Sequence, residues 1–518
     1  MRIRSIAFVG AAIGVVVAVL TARDCNAPSA PGRLQWPQMA NPEHLRILLT
    51  PEWNDWRAKN PNVTPDLTGA DLTGKDISGK DLKRADLTRA DLSRATLSGT
   101  DLSRATLRNA KFAEMQAPGA IFEHCALDFL DFSKVFFAGA RLRSASLQST
   151  SFVGADLAGA DLSFTRLEGA DISGANLAGA NLRDVNFRGV KVGGAHFDGA
   201  DLSRAVLEGV SAARGSFPNA NFTGANLKTA DLTGADLRKA NFSGAILRQA
   251  AMNAADCERA DFTDADMELL SAIEANFTSA GFDRAKVRKA DLKRAIFLDA
   301  GGSDVSFAEA KLTEVDLRSA KFEKANFQSA DLSKAIFRRA NLKPYSFVGA
   351  TFSNADLAEV QAEGVNFQRA DLSLGSFRLA NLKRADLSGC KGFDTDLSGS
   401  LLIGANFSSA NLQEADLRFA RAIGANFTDA DLKGADLANS DFSEAVFKKT
   451  KFWGATARRA KPPKGKGLLF SLSTSFSKAK EKKTKAADDK ESKRQKRIAE
   501  LEAEASKKAP HLTGRRKS

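Results

Sequence analysis

The feature that most constrains this chain is a five-residue period that runs without insertion or deletion from Pro65 to Gly454. Every fifth residue from Leu67 to Phe452 is large and apolar in 70 of 78 cases. The residue two positions earlier is usually Ala, and the residue between them is usually Asp or Asn. A short period sustained over most of a chain is typical of a solenoid, in which each repeat packs on its neighbours.

Each pentapeptide has a first residue (Ala), a second residue (Asp or Asn), a central residue (Leu or Phe), and a fourth and a fifth residue. Side chains alternate along an extended backbone, so we expect Ala70 and Leu72 to face the core while Asp71 faces outward. The fourth and fifth residues, such as Thr73 and Gly74, must turn the chain. The Asp or Asn is placed to hydrogen-bond backbone amides at that corner. A helix is excluded because a five-residue apolar spacing drifts around a 3.6-residue turn.

The phenylalanines indicate how many pentapeptides complete one coil. Between Phe307 and Phe447, central phenylalanines recur at spacings of 20 residues, with Leu387 as the one gap. An earlier row of phenylalanines has the same spacing and runs from Phe222 to Phe282. Aromatic rings stack when they lie above one another, so the rows predict a coil of 20 residues with four sides.

This pattern resembles the pentapeptide-repeat family, whose A(D/N)LXX units form a right-handed four-sided β-helix. The resemblance covers residues 65–454 and implies an all-β solenoid. Residues 41–64 resemble the segment that precedes the repeats in many family members, and we interpret them as a helical N-terminal cap. Asn41-Pro42 and Thr50-Pro51 both fit an N-cap followed by proline. Five apolar residues are expected to cover the open end of the first coil: Leu45, Leu48, Leu49, Trp53 and Trp56.

Eight central positions break the pattern: Ala117, Ala212, Cys257, Ala272, Gly302, Ala362, Gly392 and Ala422. They spread over three of the four predicted sides. Local repacking of the core is one interpretation, because cores tolerate swaps that conserve volume. Six bulky neighbours are candidates to compensate: Met115, Leu270, Ile273, Val360, Phe393 and Ile423. A ligand-binding groove is the alternative.

The N-terminus has the features of a targeting segment. Arg2 and Arg4 precede residues 6–22, which carry no charge, so residues 1–25 are predicted to be a signal peptide or a membrane anchor. Leu20 stands where a cleavage site prefers a small residue, which favours an uncleaved anchor. Residues 26–40 are interpreted as a proline-rich linker. The solenoid is then expected on the periplasmic or extracytoplasmic side, or secreted if the segment is cleaved.

The positive charge of the chain is concentrated at its C-terminal end. Residues 453–518 contain 20 Lys and Arg against 7 Asp and Glu, a balance of +13 that equals the net charge of the whole chain. Residues 455–518 are predicted to form a basic tail, disordered or helical in part. Such a tail attracts anionic lipid or another polyanion through charge alone, without a specific nucleic-acid site.

The sequence offers no catalytic, cofactor-binding or metal-binding constellation. The four histidines are isolated, and Cys125, Cys257 and Cys390 lie at inward positions more than 100 residues apart, too far to pair. We therefore expect no small-molecule substrate, and neither the partner-binding residues nor the protein partner can be identified from the sequence.

Two functions of different class follow. The first is a non-catalytic, membrane-attached interaction rod or scaffold, exposed outside the cytoplasm, that binds partners along an extended solenoid face. The alternative comes from the resemblance, since some family members interact with DNA gyrase by imitating duplex DNA. The nearly neutral repeats, the basic tail and the export-type N-terminus disfavour that alternative.

Overall fold

A computed structural model of the protein describes residues 39–343 and 345–463. The described chain begins with two helices, α1 (Pro42–Leu48) and α2 (Trp53–Lys59). A solenoid follows, in which parallel β-bridges join nearly all second-position residues to the residue twenty positions later. The bridges run from Asp66↔Asp86 to Asp441↔Lys461. The predicted coil of 20 residues is therefore confirmed, and the ladder continues to Lys461, past the predicted end at residue 454.

Four sides make up each coil, and we number them from the first bridged residue of each. Side 1 begins at Asp66, side 2 at Asp71, side 3 at Asp76 and side 4 at Asp81. Two backbone bonds hold each bridge: the amide of Leu67 donates to the carbonyl of Asp86 (2.8 Å), and the amide of Asp86 donates to the carbonyl of Pro65 (2.8 Å). On side 4 the bridge lengthens once into paired strands β1 (Gly301–Ser303) and β2 (Lys321–Glu323).

The corners of the coil are tight turns with a positive φ at the fifth position. Gly74 has φ +63° and Arg84 has φ +60°. The amide of Ala70 donates to the carbonyl of Leu67 at 3.0 Å, which closes the turn. Positive φ at the third of four residues is the geometry of a type II turn. A residue other than glycine is disfavoured there by about 1–2 kcal/mol, so the ladder must hold residues such as Arg84 in place.

The core consists of first-position alanines and central leucines and phenylalanines, as the sequence predicts. The two phenylalanine rows stack directly. Phe222 and Phe242 have ring centroids 4.7 Å apart and planes within 1°. Phe307 and Phe327 lie 5.0 Å apart and within 7°. This stacking confirms that residues twenty positions apart lie above one another.

The irregular central positions are compensated only in part as expected. Met115, Leu270 and Val360 are buried, because they occupy first positions that face the core. The expectation was wrong for Phe393, which is 47% exposed, and for two half-buried isoleucines, Ile273 and Ile423. All three are fourth-position residues, and the turn directs that position outward.

Gly302 shows how the core closes over a missing central side chain. Phe322 reaches across it to Phe282, which is forty residues earlier, and the two rings lie 6.0 Å apart. A Cβ atom on Gly302 would lie 2.6 Å from the carbonyl carbon of Phe282. The core at Gly302 is therefore repacked and leaves no room for a side chain.

The helical cap is confirmed in outline, with two corrections. Asn41 caps α1 as predicted, since its side-chain oxygen accepts from the amide of Glu43 at 3.0 Å. Thr50 does not cap α2: its hydroxyl donates to the carbonyl of Ile47, which places Thr50 in the turn after α1. The N-cap of α2 is Glu52. Leu49 is 44% exposed instead of covering the core, because it ends α1 outside the helix face.

The cap binds the free edge of the first coil. Leu48 and Trp53 are fully buried against the core, and Leu45 and Trp56 pack on it. The indole nitrogen of Trp53 donates to the carbonyl of Asp81 at 2.9 Å. The amide of Asp81 donates to the side-chain oxygen of Asn54 at 2.9 Å. On side 1, the amide of Asp66 donates to Nδ1 of His44 at 3.0 Å. The first coil has no preceding coil to bond to, so the cap supplies hydrogen-bond partners for its backbone amides and carbonyls.

Candidate interaction surface

The second-position acids stabilise the corners of the coil. The carboxylate of Asp71 accepts from the amide of Thr73 at 3.0 Å, and that of Asp441 accepts from the amide of Ser443 at 3.0 Å. Hydrogen bonds from Thr73 and Ser443 hold the pKa of Asp71 and of Asp441 below the ordinary value. Acids kept ionised by their own turn are poorly suited to donate or accept protons near neutral pH.

Outward charges pair between neighbouring coils. Lys111 lies 3.2 Å from Asp91, one coil earlier on side 2. Arg294 bridges the coils on either side of it, at 3.0 Å from Glu274 and 2.9 Å from Glu314. These groups are largely exposed, and such pairs contribute about 0–1 kcal/mol each. Their effect on the surface is to interleave positive and negative charge along the sides.

The three cysteines and the tyrosine that the structure describes are buried in the core. Burial raises the pKa of Cys125 and of Cys390 to about 12, and it raises the pKa of Cys257 well above its ordinary value. Burial also raises the pKa of Tyr345 to about 12. A thiol kept protonated in an apolar core behaves as a small hydrophobe. Within residues 39–343 and 345–463, no group of three or more His, Cys, Asp or Glu could hold a metal ion.

A cluster of outward apolar residues lies near the C-terminal end of the solenoid. We call it the C-terminal apolar patch, and it consists of Leu379, Leu401, Ile403, Phe419 and Ile423. Phe419 is 61% exposed and Leu379 is 54% exposed, and the other three are half-buried. Residue-by-residue reasoning missed this patch. Its signal in the sequence is apolar residues that recur at the same outward position: Leu379 and Phe419 forty residues apart, and Ile403 and Ile423 twenty residues apart.

The coil geometry brings these residues together at side 4 and its corner with side 3. Leu379, Gly399 and Phe419 share one corner column, and Gly399 places no side chain between the other two. A Cβ atom on Gly399 would lie 2.7 Å from Cδ2 of Leu379, so the leucine occupies that space. Ile403 and Ile423 share the next column, one coil apart. The patch therefore spans three coils.

A shallow depression on side 3 adjoins the patch at Leu379. It has a volume of about 350 Å³ and lies over Ala358, a small residue between Arg338 and Arg378 in the neighbouring coils. Arg338 is already paired with Asp356 at 2.9 Å. Ligand pockets are usually concave and mostly apolar, whereas this depression is open and lined mainly by charged side chains. It extends the surface around the patch with polar groups.

The predicted signal peptide or membrane anchor (residues 1–25), most of the predicted linker (residues 26–40) and most of the predicted basic tail (residues 455–518) lie outside the described residues. Among the helices that the structure describes, none has the length and apolar character needed to span a bilayer.

Comparison with known proteins identifies the repeats. The family of pentapeptide repeats matches fifteen segments, most of them overlapping, between residue 66 and residue 461. No curated protein matches the sequence.

Three solved structures illustrate what the chain is similar to. HetL, a pentapeptide-repeat protein involved in heterocyst differentiation regulation from Nostoc sp. strain PCC 7120, is 25% identical; the match covers 47% of this chain and 89% of HetL, with a TM-score of 0.19. QnrB1, a plasmid-mediated fluoroquinolone resistance protein, is 17% identical; the match covers 46% of this chain and 90% of QnrB1, with a TM-score of 0.17. A pentapeptide-repeat protein from the Arabidopsis thaliana thylakoid lumen is 30% identical; the match covers 27% of this chain and 66% of that protein, with a TM-score of 0.12.

The family match spans well over half of the chain, and its segments coincide with the ladder from Asp66 to Lys461. The chain therefore belongs to the pentapeptide-repeat family.

Proposed function

We propose that this protein is a non-catalytic interaction rod that binds a protein partner across several coils of the solenoid. The observation that carries the proposal is the C-terminal apolar patch, an exposed apolar area on a surface of interleaved charges. Apolar side chains clustered on an otherwise polar surface mark contact sites more often than single exposed residues do. Aromatic residues such as Phe419 are enriched among the anchors of protein interfaces.

The charge pattern supports this function over imitation of duplex DNA. A duplex mimic needs a continuous negative surface, whereas here basic groups such as Lys111 and Arg294 lie against the acids of adjacent coils. Charged groups of both signs around an apolar centre suit a protein partner with complementary charges.

Site-specific photo-cross-linking tests the contact. A photoreactive amino acid at Phe419, and separately at Leu379, is expected to give the same single adduct in the native cell. Leu269 is the matched control, because it is 47% exposed and also occupies a fifth position, but lies on side 1. Equal adduct formation at Leu269, or no adduct at either patch position, would show that the patch is not the contact.

We further propose that the rod is attached to the cytoplasmic membrane by residues 6–22 and lies on its outer side. The support is the uncharged stretch after Arg2 and Arg4, because positive residues tend to stay in the cytoplasm. The basic tail would then add a second, charge-driven contact with anionic lipid or another polyanion. A phosphatase that works only after export, fused after residue 60, is expected to be active. An inactive fusion, together with an active cytoplasmic reporter at the same point, would place the rod in the cytoplasm.

A further inference from the structure

The C-terminal apolar patch lies between groups of opposite charge along the rod. On side 4, four successive coils contribute the pentapeptides 380–384, 400–404, 420–424 and 440–444. The first of them is basic and carries Lys383 and Arg384. The last is acidic and carries Asp441 and Glu444. The two between them hold three residues of the patch: Leu401, Ile403 and Ile423. Side 4 therefore changes from positive through apolar to negative over four coils.

The β-ladder fixes which of these residues lie above one another. Bridges join the second-position column in the order Asn381, Leu401, Arg421 and Asp441. The amide of Gly404 donates to the carbonyl of Ile423 at 2.9 Å, which keeps the fourth and fifth positions in the same register. Each outward column therefore presents one residue per coil, at a rise of about 4.8 Å.

The basic end of this face carries an arginine with no acid in its own column. Arg384 is exposed, and the fifth-position residues in the coils on either side of it are Gly364 and Gly404. A Cβ atom on Gly404 would lie 3.7 Å from Cγ of Arg384, so the arginine stem lies over the glycine. Elsewhere such an arginine pairs along its column, as Arg339 does with Glu359 at 2.8 Å. The guanidinium of Arg384 is therefore placed to meet an acid on another molecule.

Reversing the direction of the rod reverses the order of charges, so two antiparallel copies of side 4 complement each other. A two-fold axis across the face, between 400–404 and 420–424, sets the basic pentapeptide of each copy against the acidic one of the other. Arg384 then faces Glu444, and Ile403 faces Ile423. Such an interface is isologous, because both copies use the same surface. Opposite charges at its two ends favour this register over others.

The corner between side 3 and side 4 fits the same arrangement. Phe419 of one copy faces Gly399 of the other, where there is no side chain in the way except that of Leu379. The leucine lies over this glycine, since a Cβ atom on Gly399 would be 2.7 Å from its Cδ2. Arg421 faces Leu401, which its aliphatic stem covers while the guanidinium stays in water. The arrangement thus buries all five residues of the C-terminal apolar patch.

We propose that the partner of the C-terminal apolar patch is a second copy of this chain, bound antiparallel through side 4. The inference rests on the proposed function, in which the patch is a protein contact, and names the partner. The four facing coils span roughly 19 Å at about 4.8 Å per coil. Because this contact is small, the dimer is expected to be weak and to depend on concentration.

Cross-linking between two differently tagged full-length copies in the native cell tests the proposal. A photoreactive amino acid at Phe419 is expected to give an adduct that carries both tags. Mass spectrometry should place the attachment within residues 375–404 of the second copy, which include Leu379 and Gly399. Attachment within residues 415–424 would contradict the antiparallel arrangement, because it would mean that the copies lie parallel with equal coils side by side.

Charge reversal tests the predicted register. Arg384→Glu, and separately Glu444→Arg, places like charges together at both ends of the interface and should lower the yield of the adduct about tenfold. The chain with both substitutions restores opposite charges and should recover the yield. Arg369→Glu is the matched control: Arg369 is also an exposed fifth-position residue of this coil with its Cγ 3.7 Å from a Cβ atom on Gly389, but it lies between sides 1 and 2. It should leave the yield unchanged, and equal levels of the tagged chains report that the variants fold.

The possible failures separate this proposal from the function on which it rests. An adduct at Phe419 with a different protein would remove the second copy as the partner and leave the patch as a contact site. The absence of any adduct would remove both. A doubly substituted chain that stays as weak as the single variants would show that Arg384 and Glu444 do not face each other.

Discussion

The two ends of the solenoid differ in how deeply their outermost apolar side chains are buried. At the N-terminal end, Trp53 is fully buried and bonds to the first coil through its indole nitrogen. Asn54 pairs with the free edge through both its side-chain oxygen and its side-chain nitrogen. At the C-terminal end, Phe427 and Phe442 are fully buried, whereas Phe447 and Phe452 are half-buried.

The difference shows what a repeating interior cannot supply for itself. Each coil receives its hydrogen-bond partners and its apolar cover from the coils on both sides. The first and last coils lack one neighbour, so a segment that does not follow the repeat must replace it. The N-terminal segment does so with mixed chemistry, in which Trp53 supplies apolar cover and Asn54 supplies a donor and an acceptor.

The largest expected difference in stability is between two tryptophan variants, one at each end of the solenoid. Trp53→Ala removes a fully buried ring and a hydrogen-bond donor to Asp81, and should lower the free energy of unfolding by about 3–5 kcal/mol. Trp453→Ala is the control, because Trp453 is 84% exposed, and should change stability by less than about 0.5 kcal/mol. Denaturant unfolding of the full chain measures both. Similar losses for the two variants would break the comparison between the two ends.

A second pair of variants measures how open the C-terminal end is. Phe347 stacks between Phe327 and Phe367, each 5.2 Å away, so Phe347→Ala should cost about 3–5 kcal/mol. Phe447 stacks on Phe427 (5.1 Å) and is half-buried, so Phe447→Ala should cost roughly half as much. Equal costs would show that the end is covered as fully as the middle of the rod.

The smallest expected effect concerns acid. The hydrogen bond from Ser443 lowers the pKa of Asp441 from its ordinary value of 3.8. Its contribution to stability is therefore complete above 3.8 and is lost as the pH falls through the lower pKa of the folded state. Below pH 3.8 the turns held by Asp441 and by Asp71 should both exchange their amides faster, after correction for intrinsic rates. The neutral bonds of Trp53 and Asn54 should limit fraying of the first coil, so the larger increase is expected in the last coil.

Asp441→Asn is the matched control for the acid experiment. Asparagine keeps an oxygen that accepts from the Ser443 amide, but it does not titrate and loses the ion pair with Lys461, 3.3 Å away. The variant should therefore show less acid sensitivity in the last coil. Unchanged acid sensitivity would mean that other groups govern fraying at this end.

Much of the fold is predictable because one rule is repeated many times. The spacing of Phe222 and Phe242 indicates a 20-residue coil, and their stacking follows from it. The prediction fails where residues leave the rule. Phe393 and Ile423 were expected to fill the core beside small central residues, yet they occupy the outward fourth position. Thr50 was expected to cap α2, but its hydroxyl bonds to Ile47 within the preceding turn.

The candidate surface is harder to predict because it depends on which coils lie side by side. Leu379 and Phe419 are forty residues apart in the sequence, and each looks like an isolated exposed residue there. They form one patch only because a single coil lies between them in space and Gly399 in that coil leaves room that the Leu379 side chain occupies. The sequence does record this indirectly, as apolar residues at one outward position in alternate coils.

By itself, the sequence determined the inward register and the number of sides, since alternation and ring stacking leave few other arrangements for Ala70, Leu72 and the phenylalanine rows. Only the tertiary structure decided how the N-terminal edge of the first coil is covered. There His44, Trp53 and Asn54 bond to backbone groups that no local sequence pattern identifies. The physical reason is that local periodicity fixes which way a side chain points. Which partner it meets depends on how distant segments fold against it.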